Sequence, residues 1–64
     1  MSEHTDHAVI DSQAAPALGE IRAMKAGGVV YLRPSAKERA DWPRYIDALA
    51  SAMAHGVSVR WVRP

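Results

Sequence analysis

A chain of 64 residues has room for one small domain, and a domain of that size buries only about 60% of the surface its unfolded chain exposes. The absence of cysteine excludes disulfides and cysteine-ligated zinc or iron–sulfur centres, which leaves self-association as the common way to reinforce so small a core. The net charge of +1 is unevenly spread: residues 1–20 carry −4 and residues 21–64 carry +5, which fits a solvated acidic start or a basic, partner-binding remainder.

Residues 1–7 read as a disordered N-terminal tail, and residues 8–64 as a single domain. The polar start lacks the basic and apolar regions of a secretory signal, and no apolar run approaches the roughly 18 residues of a membrane span. The expected location is the cytoplasm, with no membrane partner. Ala8-Val9-Ile10 is a short strand candidate. Leu18, Ile21 and Met24 recur at helical spacing and predict a helix over 16–26, stopped by Gly27 and Gly28.

Val29-Val30-Tyr31-Leu32 is β-branched, aromatic and apolar on both faces, the pattern of a well-covered strand that Pro34 ends. Ser35-Ala36-Lys37-Glu38 matches a capping box and predicts a helix start. Pro43 then leaves two options: a short turn at 36–40 that restarts with Asp41 as the new N-cap, or one kinked helix. Trp42, Tyr45, Ile46, Leu49 and Met53 form one helical stripe, which predicts a core-facing helix over 42–55 ended by Gly56. The interleaved alanines make this helix slim. Val57, Val59 and Trp61 alternate with Ser58 and Arg60, the pattern of a half-exposed strand near a sheet edge. Ala23-Met24-x-x-Gly27 and Ala52-Met53-x-x-Gly56 form a faint echo of one helix–glycine–strand unit.

Two strands joined by a helix-bearing segment suit a parallel βαβ crossover. The expected fold is therefore a small two-layer α/β domain, or α+β if the strands run antiparallel. Its order is helix–strand–helix–strand with a short N-terminal strand.

Three functional readings follow. The first is a non-enzymatic interaction or regulatory module that binds another protein or its own copy, through Trp42, Tyr45, Leu49, Met53 and Trp61. The second is a nucleic-acid-binding surface within residues 33–63, built on Arg33, Lys37, Arg39, Arg44, Arg60 and Arg63. The third is a small-anion or phosphate site where a strand runs into a helix at Arg33, Ser35 and Lys37, strengthened by Arg63 if the strands are parallel. His4 and His7, with Asp6 and Asp11, lack a third ligand fixed by spacing, so no metal site is expected. Ser35 or Ser51 with His55 and Asp41 or Asp47 shows no nucleophile-elbow pattern, and no catalytic residue or cofactor is assigned.

Overall fold

A computed structural model describes residues 7–62 of the chain. Three strands, β1 (His7–Ile10), β2 (Val29–Leu32) and β3 (Ser58–Trp61), form one sheet in the order β1-β2-β3. Both pairings are parallel, with Ile10 beside Leu32 and Leu32 beside Trp61. Helix α1 (Leu18–Arg22) makes the first crossover, and a 3-10 helix (Pro34–Glu38) followed by helix α2 (Trp42–Met53) makes the second. The fold is thus α/β, as the spacing of the strands suggested. The short N-terminal strand is present and begins at His7. The rest of the predicted tail lies outside the described residues.

Two crossovers stepping the same way across a sheet put their helices on the same face. Accordingly, α1 and α2 share one core with Ile10, Val30 and Leu32 of the sheet and with Val57. Ile21 and Met24 fill it from the first crossover; Tyr45, Ala48, Leu49 and Ala52 fill it from α2. The slim Ala48 and Ala52 are fully buried.

The expectation that β2 is covered on both sides is corrected here. Val30 and Leu32 are buried, but Val29 and Tyr31 are only half-buried, and His7, Val9, Ser58 and Arg60 on the same bare face are exposed. β2 is apolar on both faces because it is central and its neighbours shield it laterally.

Helix α1 is also shorter than its sequence pattern. It ends at Arg22 with Ala23 as C-cap, and Met24 reaches the core from a tighter turn in which its N–H donates to the Ile21 carbonyl. The chain then reverses through Lys25–Gly28, where the Gly28 N–H donates to Lys25 and Gly27 takes φ +92°. Gly56, at φ +103°, performs the equivalent turn after α2. The two halves of the echo meet in space, since the Gly27 N–H donates to the Gly56 carbonyl at 2.9 Å.

The capping box at Ser35 does not form. Arg33 is the N-cap of the 3-10 helix, and the Ser35 hydroxyl instead accepts from the Ser12 N–H at 3.1 Å, tying the loop after β1 to the loop after β2. Proline at the first turn and only five residues favour the tighter 3-10 geometry. Of the two options at Pro43, the restart is observed. α2 begins at Trp42 behind Asp41, with Pro43 in its first turn, where a missing N–H leaves no helical bond unmade.

Candidate interaction surface

The α2 stripe divides into buried and exposed parts. Tyr45 and Leu49 are buried, whereas Ile46 and Met53 are 47% and 54% exposed and Trp42 is half-buried. At 100° per residue, Trp42, Met53, Ile46 and Ala50 occupy one flank of the helix, turned away from the Tyr45–Ala48–Ala52 side that meets α1. The Trp42 ring lies 6.2 Å from the Trp61 ring, which fixes that flank on the β3 side of the sheet. Trp61, which alternates onto the same face as Val57 and Val59, is 51% exposed. It does face the helix layer with Val59, but it sits at the last position of an edge strand, where α2 does not reach over it fully. An apolar strip therefore runs from Trp61 and Trp42 along α2 to Met53.

The backbone of β3 is open on the same side. The Ser58 N–H donates to the Gly28 carbonyl at 2.9 Å and the Val62 N–H to the Leu32 carbonyl at 2.8 Å. Residues of one parity thus turn their backbone groups toward β2, and Val59 and Trp61 turn theirs outward.

The basic residues are scattered. Arg33 is half-exposed at the end of β2, with its guanidinium 4.0 Å from the Asp11 carboxylate. Lys37 lies over the Trp61 ring, 4.9 Å from its centroid. Arg60 is on the bare face of the sheet, next to Tyr31 in register. Arg44 is exposed on α2. Arg63 lies outside the described residues, as does His4.

Arg39 has a structural role. Its Nε and Nη2 donate to the two Asp41 carboxylate oxygens at 2.8 and 3.2 Å, and its Nη1 donates to the Asp11 carbonyl at 3.1 Å. The guanidinium also stacks 5.4 Å from the Tyr45 ring centroid. Asp41 holds the Arg39 charge in place, and Arg39 in turn keeps the Asp41 carboxyl below the usual carboxylate range. The Asp11 carboxyl is lowered first by the N–H groups of Gln13 and Ala14, which it accepts at 2.8 and 2.7 Å, and then by Arg33 and Arg39.

Ser35 and His55 are likewise engaged in packing. His55 Nε2 donates to the Met24 carbonyl at 2.7 Å, joining the ends of the two helical crossovers. Among the described residues, no group of three His, Asp or Glu side chains could hold a metal ion. A groove of about 400 Å³ follows the β1 edge beneath α1, lined by Ala8, Val9, Pro16, Glu20, Ile21 and Met24 among others.

The sequence pattern missed Ile46 as a surface residue, although the helical spacing from Trp42 to Met53 passes directly over it. No helix of the described residues is long and apolar enough to cross a membrane. Compared with known protein families, curated proteins and solved structures, the chain matches none.

Proposed function

We propose that the chain is a small non-enzymatic interaction module that works by binding protein and associates with itself. The observation that carries this reading is the apolar strip of Trp61, Ile46 and Met53. Each leaves about half its surface in water, and all three lie on one side of a domain too small to bury them. The bare face of the parallel sheet adds support, because parallel sheets normally have both faces covered. The lack of cysteine accords with work in the cytoplasm.

Among the described residues, Arg33, Lys37 and Arg60 lie on different sides and form no continuous basic face, which favours the protein-binding reading over nucleic acid or a small anion. The test is sedimentation of the full chain at rising concentration. The expected result is a reversible shift from one copy to two. A single-copy mass at every concentration would overturn self-association.

A further inference from the structure

Granted that self-association, the remaining question is which surface meets the second copy. Among the described residues, two strand edges are open. Charge borders both, Glu20 at the groove on the helix side of β1 and Lys37 over the Trp61 ring at β3, so apolar area decides between them. On the helix side of β3 lies the apolar strip, and there the backbone groups of Val59 and Trp61 turn outward.

We propose that β3 pairs antiparallel with β3 of a second copy, about a two-fold axis through Val59 and perpendicular to the sheet, giving one continuous six-stranded sheet with all four helices on one face. The register follows from the chemistry of four residues. Residues directly opposite one another in an antiparallel pair share a face. Centred on Val59, the pairing sets Val59 against its copy and Trp61 against Val57 on the helix side, and Ser58 against Arg60 on the bare side. Val59 then uses its outward N–H and C=O groups in a hydrogen-bonded pair with its copy, and the Trp61 N–H faces Val57, whose own N–H stays bonded to the Ala52 carbonyl. Centred on Arg60, the pairing would set two like charges face to face, which is destabilising. Centred on Ser58, it would leave Trp61 beyond the ladder.

The helix layer obeys the same axis. α2 runs back along β3, so its middle lies level with the middle of the strand. The midpoint of α2 falls between Asp47 and Ala48, so the two-fold brings Trp42 toward the other copy's Met53 and sets the two Ile46 side chains near the axis. Ile46, Met53 and Trp61 expose on the order of 300 Å² of apolar surface per copy. With the strand edge, Val59 and Trp42, the area buried over both copies approaches about 1,000 Å², the size of a weak, reversible interface.

A chain without cysteine allows a direct test by cross-linking. In the proposed register, Ser58 and Arg60 of the other copy form a non-hydrogen-bonded pair with Cα atoms about 4.5 Å apart, inside the range a disulfide spans. Ser58 and its own copy stand diagonally, about 7–8 Å apart, beyond that range. Full-length Ser58→Cys and Arg60→Cys chains are mixed under mild oxidation at a concentration where sedimentation shows two copies. The mixed disulfide is expected to form at least tenfold faster than either homodisulfide.

Faster homodisulfides would overturn the register. Absence of any cross-link in a two-copy sample would overturn this interface while leaving self-association standing. A single-copy sample would overturn both. Val59→Pro provides a second reading: its N–H points away from β2, so the variant keeps the monomer's ladder, and an edge strand tolerates it. It should remain folded by circular dichroism and dimerise at least tenfold more weakly. A folded Val59→Pro chain with undiminished dimerisation would also overturn the proposal.

Discussion

At the residue scale, three positions show how backbone and side-chain geometry set stability. Gly19 lies inside α1 with nothing within 4 Å of where a Cβ would stand, so Gly19→Ala should stabilise the fold by about 0.5–1 kcal/mol through helix propensity alone. Gly56 is the opposite case. Its φ of +103° disfavours any L side chain, and a Cβ there would stand 2.9 Å from the Ala26 Cβ. Gly56→Ala should therefore cost about 1–3 kcal/mol, since neither the turn nor the Gly27 contact can yield without the other. Tyr45 is buried and its hydroxyl donates to the Pro16 carbonyl, anchoring the chain just before α1 to α2. Tyr45→Phe should lose about 0.5–1.5 kcal/mol. Thermal melts at one fixed protein concentration check all three, because 1 kcal/mol moves the midpoint of so small a domain by about 4–8 °C.

At the element scale, the loops above the carboxyl ends of the strands are held by two acidic residues. Asp11 closes the turn after β1 by accepting from Gln13 and Ala14. Asp41 fixes Arg39, which bonds the Asp11 carbonyl and covers the Tyr45 ring. Both carboxyls titrate below their ordinary value in the folded state. Each therefore contributes stability that is fully present above the unfolded value, about 3.9, and is lost as pH falls through the lower folded value. The melting midpoint should hold from neutral pH down to about 5 and decline below about 4. Asp11→Asn should lower the neutral-pH midpoint and flatten the acid decline, and an unchanged acid limb would show that the Asp11 turn contributes nothing.

At the scale of the whole molecule, one helix layer on one parallel sheet leaves a face and two edges uncovered among the described residues. Pairing at β3 would remove one edge, bury the apolar strip and continue the sheet, while leaving two copies of the bare face side by side. Because only the folded chain can pair this way, the melting midpoint should rise with protein concentration. A midpoint independent of concentration would speak for a stable monomer.

Local chemistry was enough to locate the strands and the glycine turns, and it narrowed α2 to a restart at Asp41 or a kink at Pro43, between which the tertiary structure chose. Alternation of side chains and the backbone limits of glycine and proline operate within a few residues, and they survive whatever the chain packs against. The α/β order and the likeness of the two helix–glycine–strand junctions were legible for the same reason. The tertiary structure decided what depends on contacts between distant segments. Ser35 bonded Ser12 rather than its own helix, because the loops after β1 and β2 lie together above a parallel sheet. Arg39 bound Asp41 and Asp11 rather than facing solvent. The rotation of α2 was likewise a tertiary choice: close approach to α1 selected Ala48 and Ala52 for the interior, which turned Ile46 and Met53 outward and left Trp61 at an open edge.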